Sequence, residues 1–98
     1  MKTIKVGLIT NVLTDRINIE LIDCILIPHT DNFILIKILF KKCDIIMINA
    51  DIKNRAHIVH LADKSGAIVL VYDHHKRGKL TLSGCIKLVE DKYYCLAQ

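Results

Sequence analysis

The chain lacks most of the short signatures that announce a chemistry. Its four cysteines, Cys24, Cys43, Cys85 and Cys95, form no C-x-x-C pair, which argues against zinc and favours reduced, mostly buried thiols. No stretch approaches the roughly 20 uninterrupted apolar residues of a membrane span. The apolar run behind Lys2 and Lys5 stops at Asn11, too early for a secretory signal, so a soluble, cytoplasmic protein is expected. Ser65 and Ser83 follow no strained-turn signature, and Gly66, Gly78 and Gly84 build no phosphate-cradling loop. No internal repeat or low-complexity tract is present.

What is there is a chain of 98 residues, 52% apolar and 24% charged, with a net charge of +4. That length suits one domain, residues 1–98, with a single core. The basic excess fits a polyanionic partner only where the charges cluster.

The strongest pattern runs from Cys43 to Asp73. Ile45 to Ile48 is a short apolar run without alternation, as in a strand buried on both faces. Beyond Asp51 the period changes. Ile52, Ala56, Val59 and Ala62 repeat at helical spacing, with Lys53, His57, His60 and Lys64 on the opposite side. Gly66 suits the left-handed turn that ends such a helix, and Ala67 to Tyr72 is a second β-branched run. Strand, helix, strand predicts two parallel neighbours joined by a crossover.

Around this unit, Ile4 to Ile9 reads as a strand and Thr10 to Asp15 as a polar connection. Between Asn18 and Ile27 a helix capped by Asn18 and a period-two strand both fit, and Pro28 closes either. Thr30 or Asp31 is placed to cap a helix over Asn32 to Lys42, with a strand as competitor. Cys85 to Val89 and Tyr93 to Leu96 read as a closing hairpin around Glu90, Asp91 and Lys92, after a break at Gly84.

Three features invite chemistry. Asp73-His74-His75 resembles the tripeptide that certain metal-dependent phosphoesterases carry at a strand end. Those enzymes assemble their metals from several separated acidic and histidine motifs, and so short a chain is not expected to supply them. A solvated basic loop is the simpler reading. His57 and His60 are helical neighbours, but two imidazoles fall short of the three protein ligands of a catalytic zinc, so a solvent face or an RNA-facing surface is expected. Lys41 and Lys42, Lys53 and Arg55, and Lys76, Arg77 and Lys79 all fall at element boundaries, where cations and helix N-termini suit phosphate oxygens.

Over about residues 18–90 the order of features resembles the family of kink-turn-binding ribosomal proteins, and its small-subunit ribosomal members in particular. The matching segments are the run from Lys37 to Asp51, the pair His60-Leu61, Gly66, Tyr72-Asp73 with the basic loop at Lys76-Arg77, and the turn from Arg77 to Gly84 that leads into Cys85, Ile86 and Lys87. Where kink-turn readers carry Gly-x-Asn-Glu, this chain has His29-Thr30-Asp31-Asn32-Phe33. Asn32 corresponds and the Glu is absent. The resemblance implies a three-layer α/β/α sandwich with a mixed four- to five-stranded sheet. It implies a non-enzymatic constituent of the ribosome, with no cofactor, metal or small-molecule substrate, whose partners are ribosomal RNA and neighbouring ribosomal proteins. The RNA-facing residues expected are Asn32, Lys37, Lys41, Lys42, Lys53, Arg55, Lys76, Arg77 and Lys79. The alternative is a small Rossmann-like enzyme or nucleotide-sensing domain that uses Asp51 and Asp73 at the carboxyl ends of its strands.

Overall fold

The computed structural model describes residues 3–17, 22–74 and 80–97. In chain order they form β1 (Ile4–Ile9), β2 (Ile22–Leu26), α1 (Phe33–Phe40), β3 (Ile45–Asn49), α2 (Arg55–Lys64), β4 (Ile68–Tyr72) and α3 (Leu82–Ala97). The strands make one sheet in the order β2-β1-β3-β4, and every pairing is parallel. This is the α/β sandwich expected from the sequence, and β3 and β4 are the parallel neighbours that the strand, helix, strand pattern predicts.

The sheet is not mixed. The segment expected to supply an antiparallel hairpin, Cys85 to Leu96, is instead part of α3. Helical period explains the difference. Leu82, Cys85, Ile86 and Val89 fall at three-to-four spacing, and Cys85 and Val89 are fully buried against the sheet while Leu82 and Ile86 pack beside them. Gly84 does not break the element. Its N–H donates to the Thr81 hydroxyl at 3.0 Å, and the Cys85 N–H donates to the Thr81 carbonyl at 2.9 Å, so Thr81 closes the first turn as a cap.

Side-chain alternation divides the core into two layers. Ile4, Val6, Leu8, Ile45, Met47 and Tyr72 face Ile17 and α3. Ile9, Ile46 and Ile48 face Ile36 and Phe40 of α1 and Ile58 and Ala62 of α2. All five residues of β3 are buried, which accounts for its unbroken apolar run. In the Asn18 to Ile27 region the strand reading holds from Ile22 onward; residues 18–21 lie outside the described part.

Helix ends follow local chemistry. Asn32, rather than Thr30 or Asp31, caps α1, its Oδ1 accepting the Leu35 N–H at 3.1 Å. Gly66 sits at φ +85° just past α2, the left-handed geometry that a Cβ would oppose. Asn54, before α2, holds φ +59°, which asparagine tolerates better than most side chains. Among the described residues no helix is long and apolar enough to cross a membrane.

Gly7, in the middle of β1, is a glycine for lack of space. A Cβ there would lie 2.6 Å from Cys43 Sγ and 2.7 Å from Ile27 Cδ1. Gly7→Ala is expected to destabilise the fold by about 1–3 kcal/mol through overpacking, measured by urea unfolding. Adding Cys43→Ala should recover part of that loss, because it removes the nearer atom.

Candidate ligand site at the carboxyl edge of the sheet

Four parallel strands deliver their carboxyl ends to one edge. There the loop after β1 meets the turn after β3, the pair at which the strand order reverses, since the chain leaves β1 toward β2 and leaves β3 toward β4. In open parallel sheets this reversal opens a crevice that ligands use.

The crevice is knitted by Asn49, the last residue of β3, which is fully buried. Its Nδ2 donates to Thr10 Oγ1 at 3.0 Å and to Asn11 Oδ1 at 3.3 Å. Its Oδ1 accepts the Asp51 N–H at 2.9 Å. Both halves of the amide are therefore engaged, as burial demands.

Beside it lies a buried carboxylate. Asp15 is 3% exposed, and its Oδ2 accepts from the Thr10 hydroxyl and the Tyr72 hydroxyl, each at 2.7 Å. His74 Nε2 lies 2.9 Å from Oδ1, an ion pair whenever the imidazole is protonated. Tyr72 and His74 also meet edge to face, with centroids 5.5 Å apart. Burial pushes the Asp15 carboxyl up, but hydrogen bonds from Tyr72, Thr10 and His74, with the charge on His74, together outweigh it and hold the group below the ordinary value. The Tyr72 phenol is pushed well above its ordinary value by burial and by the Asp15 carboxylate that it serves.

Two hollows open on this edge and share His29. The larger, about 470 Å³, is lined by Asn11, His29, Thr30, Asp31 and Lys53. The second, about 240 Å³, is lined by Leu8, Thr10, Val12, Leu13, Arg16, Leu26, Ile27, Pro28 and His29, and is mostly apolar in character. His29 Nε2 donates to the Lys53 carbonyl at 3.1 Å, tying the segment after β2 to the turn before α2. Arg55 Nη1 donates to the Ala50 carbonyl at 3.1 Å, bracing that same turn.

Those of the expected RNA-facing residues that are described do not all share one surface. Asn32 is engaged in capping α1. Lys37, Lys41 and Lys42 are exposed on α1 and just past it, with Lys41 and Lys42 toward the opposite edge of the sheet, where β3 begins. Lys53 and Arg55 are exposed at the carboxyl edge. Lys76, Arg77 and Lys79 lie outside the described residues. Asp51 is exposed and Asp73 is buried at 7% exposure, so the two acids named for the alternative reading do occupy the carboxyl edge. Thr10, Asn11, Asp15, His29, Asn49 and Tyr72 were not among the residues expected. The available signal was positional: a polar run directly after a strand.

Among the described residues no group of three His, Cys, Asp or Glu side chains is arranged to hold a metal ion. Cys24, Cys43 and Cys85 are free thiols, and burial pushes Cys43 and Cys85 up to about 11, leaving them poor nucleophiles at neutral pH. No protein-family model, curated protein or solved structure matches the chain.

The depressed Asp15 carboxyl makes stability depend on pH. Its contribution is complete above the ordinary aspartate value near 4 and is lost as pH falls through the lower folded value. Thermal melts followed by circular dichroism should therefore show midpoints falling between about pH 5 and pH 1, with a shallower fall in Asp15→Asn. Tyr72→Phe removes a donor to a buried charge and should cost about 1.5–3 kcal/mol at pH 7, read from urea unfolding. Equal stability of Tyr72→Phe and the parent would show that the hydroxyl is not needed.

Proposed function

We propose that the carboxyl-edge crevice binds a small phosphate-bearing ligand, with nucleotides as the first class to test. The observation that carries this reading is the pair of hollows that share His29. One lies beside the strand-order reversal, is lined by polar residues and is served by Lys53; the other lies between the ends of β1 and β2 and is lined mainly by apolar residues. A ligand with a charged end and a flat apolar end matches that division. Lys53 supplies charge for the phosphate beside the start of α2, Asp31 supplies an acceptor for hydroxyls, and Leu26, Leu13 and Pro28 supply cover for a ring. The reading coincides with the nucleotide-sensing alternative drawn from the sequence, with Lys53 and His29 in place of Asp51 and Asp73 as the contacting residues.

His74 adds a chemical option at the same edge. An imidazole oriented by a buried carboxylate is suited to proton transfer, and phosphoester hydrolysis is the reaction to assay. His74, just past β4, does meet a distant acidic residue, Asp15, but among the described residues the metal ligands on which the metal-dependent phosphoesterases rely are not brought together.

The ribosomal, RNA-binding role is the second reading. Exposed cations on and beside α1, at Lys37, Lys41 and Lys42, favour it. Lys41 and Lys42 lie toward the opposite edge of the sheet from Lys53 and Arg55, so these four do not form one basic edge, and Lys76, Arg77 and Lys79 lie outside the described residues.

Isothermal titration with ATP, GTP and AMP should give binding for at least one. Lys53→Ala and His29→Ala, both changes on the crevice lining, should each weaken it about 10-fold, the order of one charge-assisted hydrogen bond. His74→Gln, which keeps a hydrogen-bond donor for Asp15, should leave affinity intact and remove any hydrolysis. Absence of binding by all three nucleotides, together with recovery of the native protein on ribosomal subunits after a moderate-salt wash, would favour the second reading instead.

A further inference from the structure

On the other face of the molecule, α1 and α2 lie side by side with a groove between them. Lys37 and Lys41, one turn apart on α1, line a hollow of about 250 Å³ together with His57, His60, Leu61 and Lys64 of α2 and Ser65 beyond it. Among the described residues that line it none is acidic. The three lysines and both histidines are exposed, and none of the lysines is ion-paired among the described residues. The His57 ring is held edge-on to Phe33, with centroids 4.5 Å apart and planes at 82°, so one wall carries a fixed ring rather than a mobile side chain.

Two features separate this groove from a face that is merely solvated. Lysines that only confer solubility are commonly interspersed with acids, whereas here two helices bring like charges together across a concave surface. Like charges so placed repel, and a bound anion relieves the repulsion. Two of the three lysines stand one turn apart on α1 and the third stands across the groove on α2. That suits a string of separated negative charges better than one compact anion. Leu61 and the His57 ring, both in the lining, offer apolar and flat surface to unstacked bases beside the lysines, the combination by which proteins hold single strands.

We propose that the groove between α1 and α2 binds the phosphodiester backbone of a single-stranded nucleic acid, with Lys37, Lys41 and Lys64 as its phosphate contacts. This site is separate from the carboxyl-edge crevice, which none of these residues lines, and it does not depend on nucleotide binding there. It shares Lys37 and Lys41 with the ribosomal reading but not that reading's partner, a folded RNA recognised by shape.

The test is fluorescence anisotropy of the full chain with a labelled oligouridylate, a labelled RNA hairpin and unlabelled tripolyphosphate as competitor. The oligouridylate should bind at low salt, more tightly than the hairpin, and tripolyphosphate should displace it only weakly. The triple variant Lys37→Gln, Lys41→Gln, Lys64→Gln should weaken binding at least 10-fold and make the slope of log affinity against log salt shallower by about two, three phosphate contacts at about 0.7 each for a single strand. The triple Lys→Arg variant should keep both. Lys87→Gln, on α3 across the sheet, should change neither. Since all three lysines are exposed, the variants are expected to melt like the parent. The proposal is overturned by unchanged affinity and slope in the triple Gln variant, by a hairpin that binds as tightly as the single strand, or by full displacement at equimolar tripolyphosphate. A triple Gln variant that keeps both the oligonucleotide and the nucleotide refutes it and leaves the crevice assignment standing, whereas loss of nucleotide affinity in that variant would count against the crevice.

Discussion

A carboxylate that is 97% hidden from water has to be surrounded by donors, and the carboxyl edge of this sheet is arranged to meet that need at Asp15. Its three donors come from different parts of the chain: Thr10 at the end of β1, Tyr72 at the end of β4, and His74 beyond it. Thr10 in turn accepts from Asn49 at the end of β3. One buried charge thereby fixes the relative positions of the loops after three strands, and the crevice at the strand-order reversal takes its shape from that network. A network of this kind stabilises when complete and is costly when broken, since removal of any donor leaves a charge inside that cannot reach water. The same property makes the edge a rigid platform. Ligand groups meet a surface that is already organised, so less ordering is needed on binding.

The sequence made the centre of the fold legible and left its rim obscure, for physical reasons. Burial of β3 on both faces demands an unbroken apolar run, α2 demands a 3.6-residue period, and the left-handed turn after α2 demands Gly66. Each leaves a mark within a few residues. α3 was read as a hairpin because Gly84 and the polar set Glu90, Asp91 and Lys92 look like breaks, while the cap at Thr81 that makes Gly84 an ordinary first-turn residue is a single hydroxyl. The Asp15 network left no local mark. Its partners are separated by as many as 59 residues along the chain, and only the parallel topology brings them together. Asp73-His74-His75 drew notice as a tripeptide, yet the residue that gives His74 its chemical context lies in a loop that read as a plain polar connection.

Charge was legible as an amount but not as a place. A net charge of +4 says little until helix directions are known. Because α1 and α2 each lead back to start the next parallel strand, both run from the carboxyl edge of the sheet toward the opposite edge. Residues at the start of α2, Lys53 and Arg55, are thereby left at the carboxyl edge, and those at the helix ends, Lys41 and Lys64, are carried away from it. Parallel topology alone therefore sets Lys53 and Arg55 apart from Lys41 and Lys64.

That split bears on what each group can recognise. At the carboxyl edge Lys53 stands among hydrogen-bonding groups held by the Asn49 and Asp15 network, next to an apolar hollow, and mixed chemistry of this kind distinguishes one small molecule from another. Between α1 and α2 three exposed lysines line the groove, two on the first helix and one on the second. Flexible charges discriminate poorly between bases but respond to the linear charge density of a polymer, with an affinity set mainly by the release of its counterions. Selective binding of a small ligand and sequence-tolerant binding of a strand call for different surfaces, and the two proposed sites lie on different parts of this fold.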